Sequence, residues 1–328
     1  MIIDSVKITS WDTNKNDYAR SNGTIPRSYI LINYGNGTTN ITNSELAYLG
    51  YQHARSFGLT YYTGTGSILK SNKIHDLHDG FYSDGFAHGA YNITIEGNEF
   101  YHNTLQGIGP HSGSHNLTIS NNTVHDNGRE GIICSIDCYN IIINSNKVSN
   151  NPYYGILLHN NISNSIIRNN MVYDNEEEQI WLDKLANNSS VYNNNITGGL
   201  NGIRISERSA SNTIDNNTIA NSYLAGIFLL NGTSKNTITS NTINNSNYAL
   251  FILDQDLRIL LGFAQDVNTD MSILKAVSSV NSKMEEIAEL NDTRIELDSG
   301  QTRKAKSRRP VSELQLSANI VEDIDYPS

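Results

Sequence analysis

Apolar and polar positions between Asn98 and Leu253 repeat on one beat. Gly107, Gly131 and Gly155 are each followed by Ile, and one more step of 24 residues reaches Gln179-Ile180. Asn98, Asn122, Asn146, Asn170 and Asn194 keep the same step, each with an apolar residue two places on (Phe100, Val124, Val148, Val172, Ile196). After a deletion of one residue the beat resumes at Gly202-Ile203 and Gly226-Ile227, with Asn217 and Asn241 in the asparagine position. Inside a unit the apolar runs are short, alternate with period two, and end at Asn, Gly or Ser. They read as strands, not helices. A unit this small cannot bury its apolar face alone and must stack on its neighbours. Parallel stacking, once per period, predicts an all-β, single-domain, right-handed parallel β-helix over residues 1–253, with coils of about 24 residues.

Strand alternation divides each coil into an inner and an outer set. With the Gly as position zero, positions one and three point inward: Ile108 and Pro110, Ile132 and Cys134, Ile156 and Leu158, Ile180 and Leu182. Position four, outward, reads His111, Ser135, His159, Asp183, Ser206, Leu230 down the stack. Position two reads Gly109, Ile133, Leu157, Trp181, Arg204, Phe228, and the residue before the Gly reads Gln106, Glu130, Tyr154, Glu178, Asn201. Rungs lie about 4.8 Å apart, so titratable groups and aromatics form rows at roughly the pitch of sugar units.

The texture changes at both ends. Residues 1–60 are less regular, Tyr-rich, with an insertion around Asn14–Arg27, and the regular ladder is expected from about Gly85. Past Leu253, the residues Ile273, Val277, Val280, Met284 and Ile287 follow heptad spacing in a Lys-, Glu- and Ala-rich segment. Residues 254–298 therefore read as a helical cap over the end of the solenoid or as a short coiled coil, with 271–290 as an oligomerisation stripe. Residues 299–328 open on a basic run and read as a disordered tail.

Composition narrows the partners. Only 17% of the 328 residues are charged and the net charge is −10, with no basic domain, which argues against nucleic acid. No apolar run is long enough to span a bilayer. Met1 to Ile8 already reads as strand, so no signal peptide is expected in this chain. Two cysteines, Cys134 and Cys138, are too few for a disulfide framework, and Cys134 is read as a core residue. A metal site at these cysteines would need more ligands nearby than the sequence shows. Among the histidines, His53, His75, His102 and His125 read as turn or surface residues, whereas His111 follows Pro110 at an outward position, with His115 four residues on.

The run from Gln106 through Pro110-His111 to Ile119, continuing through Val124-His125-Asp126-Asn127-Gly128 to Gly131-Ile132-Ile133, resembles the mannuronan C5-epimerases. Ser10-Trp11-Asp12-Thr13, Glu45 to Gly50 and Ser56-Phe57-Gly58-Leu59-Thr60 resemble the lead-in of that family's periplasmic type. The resemblance spans roughly residues 5–230 and implies a pectin-lyase-like solenoid on an extracellular, cell-surface or periplasmic protein. The family hallmark is Tyr-Gly-Phe-Asp-Pro-His. Its His falls on His111, its Tyr on Gln106 and its Asp on Gly109; an acid after the His falls on Ser112. An aspartate of the secreted type falls on Ser135 and an arginine of the periplasmic type on Ile136.

The resemblance implies C5 proton abstraction from a uronate polymer, with epimerisation or the related β-elimination as outcome. His111 is then the base, and His159, Tyr154 and Glu130 are catalytic candidates on adjacent rungs. Gln106, His115, Ser135, Trp181, Asp183 and Arg204 are expected to bind substrate. The residues imply no cofactor of their own; the family's secreted type is calcium-dependent, which makes calcium the ion to test. The other reading is a non-catalytic polysaccharide-binding or cell-surface β-helix that keeps the groove without the family's Tyr and Asp.

Overall fold

A computed structural model of the protein describes residues 1–20, 25–33, 38–62, 64–84, 90–230 and 232–253, which contain strands and turns and no helix. They wind into a right-handed parallel β-solenoid of about nine turns. Three parallel sheets of ten strands run its length. The first extends from Ile2–Asp4 to Thr237–Thr239, the second from Lys7–Thr9 to Thr242–Asn244, and the third from Ile30–Ile32 to Tyr248–Leu253. Each strand pairs with its counterpart one coil away, as Ile132 does with Ile156 and Ile180 with Ile203. The expected period is therefore the pairing register itself. The stacking starts at Ile2, earlier than Gly85. The N-terminal insertion forms an antiparallel pair, Trp11–Asp12 with Asp17–Tyr18. The expected C-terminal helix and tail, with the stripe at 271–290, lie outside the described residues.

The inward positions are core. Ile108, Ile132, Cys134, Ile156, Leu158, Ile180 and Leu182 are fully buried, and each such aliphatic side chain contributes about 1.5–3 kcal/mol by leaving water. The corners are set by single left-handed residues. Asn121, Ser145, Asn169 and Asn193 (φ 54, 56, 54 and 55°) turn the chain from the first sheet to the second, a conformation that Asn tolerates better than most residues.

Each of those turns is followed by a buried Asn, and these residues form a continuous ladder. From Asn72 through Asn98, Asn122, Asn146, Asn170, Asn194 and Asn217 to Asn241, every Nδ2 donates to the next Oδ1, which also accepts the backbone N–H of the residue before it. A shorter ladder runs Asn103–Asn127–Asn151–Asn175 and ends on Gln179, whose Oε1 accepts from Asn175 Nδ2 at 2.7 Å. Gln179 thus stands where the repeat has Gly because its amide terminates that row.

The periodic Gly is required for space, not for a left-handed backbone. A Cβ on Gly107 would sit 2.5 Å from Val124 Cγ1 and 2.8 Å from the carbonyl oxygen of Gly131.

Candidate functional site

The outer face of the third sheet brings most of the expected site residues together. Register places His111, Ser135, His159 and Asp183 in one column and Gly109, Leu157, Trp181, Arg204 and Phe228 in or along the next. Pointing away from the core does not expose them. Ser135, Leu157, His159, Asp183, Ser206 and Leu230 are all buried, and only His111, Ile133, Trp181 and Arg204 remain half-buried.

His111 is held from two sides. Its Nδ1 lies 2.6 Å from Ser112 Oγ, and its ring stacks on Tyr82 at 5.7 Å between centroids. Tyr82 in turn packs on Phe57. Burial pushes the His111 pKa below the ordinary histidine value, Asp84 pulls it back, and His159 pushes it further down. The imidazole is therefore neutral at neutral pH, as a proton acceptor must be. Gln106 folds over Gly109, where a Cβ would meet its Cγ at 2.9 Å.

Two rungs away a second polar set is linked by hydrogen bonds. His159 Nδ1 lies 2.9 Å from Asp183 Oδ2. Ser206 Oγ donates to Asp183 Oδ1 at 2.7 Å, and Trp181 Nε1 donates to Ser206 Oγ at 2.8 Å. The serine directs its proton to the aspartate, so the trio lacks the order that activates a nucleophilic hydroxyl.

Arg129 and Arg204 are already matched. Arg204 reaches Glu178 at 3.1 Å and lies 4.4 Å over the Trp181 ring, and Asn201 donates to the same Glu178 oxygen. Arg129 pairs with Glu130 at 3.1 Å. Trp181 meets Tyr154 edge-on at 4.7 Å, so its ring is enclosed by Tyr154 and Arg204. Burial raises the Glu130 pKa, against the opposing pull of Arg129. His115 sits elsewhere, in a corner column between Tyr91 and Tyr139, with ring centroids 5.1 and 4.5 Å away.

Sequence reasoning missed the rung before His111. Asp79, Tyr82 and Asp84 extend the same face, with Tyr82 paired to Gly109. Asp79 is fully buried and its pKa is driven well up, first by desolvation and then by Glu130. The signal was available: Asp79-Gly80-Phe81 repeats the pattern of Gln106-Gly107-Ile108, but after 27 residues instead of 24. His75 and His125 are also more than surface residues, being stacked on Tyr101 at 4.7 and 5.5 Å on the second sheet. Among the described residues, no three of His, Cys, Asp and Glu gather so as to hold a metal ion.

The fold recurs in solved structures. The periplasmic alginate epimerase AlgG matches with a TM-score of 0.63 at 20% identity, over 80% of this chain and 69% of its own. The A-module of Azotobacter vinelandii mannuronan C-5 epimerase AlgE4 matches with a TM-score of 0.59 at 16% identity, over 79% of this chain and 73% of its own. The Dettilon tailspike protein matches with a TM-score of 0.55 at 19% identity, over 68% and 50%. At these identities the likeness is one of fold. Among curated proteins no match is found. A family model described as a right handed beta helix region matches residues 133–261. A second, described as periplasmic copper-binding protein (NosD), matches residues 13–177, half of the chain, and the chain belongs to that family.

Proposed function

We propose that the outer face of the third sheet binds an acidic polysaccharide and that His111 removes the C5 proton of a uronate ring. The electron pair left at C5 is taken up by the adjacent carboxylate as an enediolate. Reprotonation from the opposite face inverts C5, and expulsion of the C4 oxygen gives β-elimination instead. The observation that carries this reading is the state of His111, a half-buried imidazole kept neutral by desolvation and fixed by Ser112 and Tyr82. The epimerases that share the fold act, by their names, on alginate and mannuronan, and the periplasmic location in the names of AlgG and of the family extends to this chain as part of the proposal.

Among the described residues, the donors do not fit the copper in the family's name. Burial pushes Cys138 up to about 12 and Cys134 well up too, which keeps both as thiols, whereas a metal takes the thiolate. No step is assigned to copper or to calcium.

One observation favours the non-catalytic reading. Arg129 and Arg204 are each paired with a buried glutamate, which leaves neither ready to neutralise a substrate carboxylate. Proton NMR of uronate polymers incubated with the protein and with His111→Ala decides between the two. Turnover lost in the variant supports the enzyme, and binding without turnover in either protein supports the binder.

A further inference from the structure

We propose that the site takes a mixed polymer, in which the uronate over His111 is flanked by uncharged sugars, and that Asp84 sets this preference by repelling a neighbouring carboxylate. The proposal rests on the C5 reading above and names the class of chain on which it operates. Asp84 stands one rung before His111, continuing the pairing of Ser83 with Pro110. Its side chain is half-buried, and its Oδ2 accepts the Tyr62 hydroxyl at 3.2 Å. Its charge is felt at the His111 imidazole, whose pKa it draws upward against burial.

With rungs about 4.8 Å apart, the sugar units that adjoin the reacting one fall over the rungs on either side of His111. Among the described residues of these three rungs, 79–84, 106–111 and 129–135, the charged side chains are Asp79, Asp84, Arg129 and Glu130. Arg129 is bonded to Glu130 at 3.1 Å. Asp79 and Glu130 are buried, so Asp84 is the carboxylate that an adjoining unit meets. Arg55, over the Tyr62 ring, and Lys184, just past Asp183, stand two and three rungs from His111, beyond the adjoining units. The middle column runs uncharged from Tyr82 through Gly109, Ile133 and Leu157 to Trp181. Tyr82, Ile133 and Trp181 in it are partly exposed. A row that holds a homopolymer of uronates needs a cation for each carboxylate, because like charges facing each other across an interface cost affinity. This face offers the reverse: a carboxylate at its margin and an apolar middle, which suit the hydroxyls and C–H faces of uncharged units.

The test compares the full chain on a homopolymer of mannuronate and on the same polymer after partial reduction of its carboxyls to primary alcohols. Binding is measured at low and high NaCl, with and without calcium, and C5 turnover is read by NMR per remaining uronate. At low salt the partly reduced polymer should bind more tightly by roughly tenfold or more, the scale of one like-charge contact, and should turn over faster per uronate. Added NaCl should strengthen binding of the homopolymer by screening the repulsion, and so narrow the gap. D84N keeps the shape and removes the charge. It should narrow the gap at low salt while leaving the affinity for the partly reduced polymer unchanged. The salt dependence of the wild type carries the test if D84N does not fold. A homopolymer that binds more tightly, with an affinity that falls as NaCl rises, overturns the proposal, with or without calcium. A gap that D84N leaves untouched overturns the role of Asp84. Preference for the partly reduced polymer with its C5 centres unchanged upholds the charge selection and overturns the C5 reading. Faster turnover on the homopolymer does the opposite: it upholds that reading and overturns the proposal.

Discussion

The side-chain nitrogen of Asn122 donates to Oδ1 of Asn146 across 2.9 Å, and that oxygen also accepts the backbone N–H of Asn122. Asn146 passes the pattern on by donating to Asn170 Oδ1 and to the carbonyl of Ile119. Asn146→Ala therefore strands several buried polar groups at once, each costing about 1–3 kcal/mol when unpaired. The denaturant midpoint should fall far more than for Asn116→Ala, whose ladder partners are exposed. Equal midpoints for the two variants would refute the ladder as a source of stability.

Gly131→Ala and Gly113→Ala separate space from backbone conformation. At Gly131 a Cβ would overlap Val148 and come 2.8 Å from the Gly155 carbonyl, while at Gly113 it would meet nothing within 4 Å but φ is +76°. Gly113→Ala should cost about 1–2 kcal/mol from the left-handed penalty. Gly131→Ala should cost more, because backbone must move. Thermal unfolding of both variants checks the order.

Arg204→Ala should destabilise by about 3–5 kcal/mol, the cost of leaving a buried partner uncompensated. The Glu178 side chain is only 1% exposed. Replacing both residues by Met should cost much less, since no charge is then left behind. A double variant as damaged as the single one would mean that Arg204 acts through its packing on Trp181 and not through the pair.

Asp79 predicts a pH dependence of stability. Burial raises its folded pKa above the unfolded value, so the folded state holds a proton that the unfolded chain releases. Its contribution is fully present below about pH 4, the unfolded value, and is lost as pH rises toward the folded pKa, at a slope of up to about 1.4 kcal/mol per pH unit. Asp79→Asn should flatten this slope and stabilise the protein at pH 8 relative to the wild type. Chemical denaturation at pH 5 and pH 8 measures it, and parallel slopes in both proteins would contradict the assignment.

Legibility followed physical cause. The alternation of Ile132, Cys134, Ile156 and Leu158 was readable because an apolar side chain with period two has only one place to go, and all four are buried. The rung of Asp79 and Tyr82 was hidden by an irregular step and a break in register between Asp79 and Tyr82. Column membership came from spacing, but the pairing of Arg204 with Glu178 and of His159 with Asp183 depends on side chains reaching across rungs. His115 shows the limit: four residues from His111 in sequence, it turns the corner and stacks with Tyr139.

The central claim is that a neutral His111 abstracts the C5 proton, and its pH–rate profile on a uronate polymer tests this most directly. Because burial lowers the His111 pKa, the rate should rise with pH along an acid limb whose midpoint lies below the ordinary histidine value of about 6.5. His111→Ala should remove roughly two or more orders of magnitude with only a modest loss of polymer binding. Turnover that survives His111→Ala with the same acid limb would contradict the account.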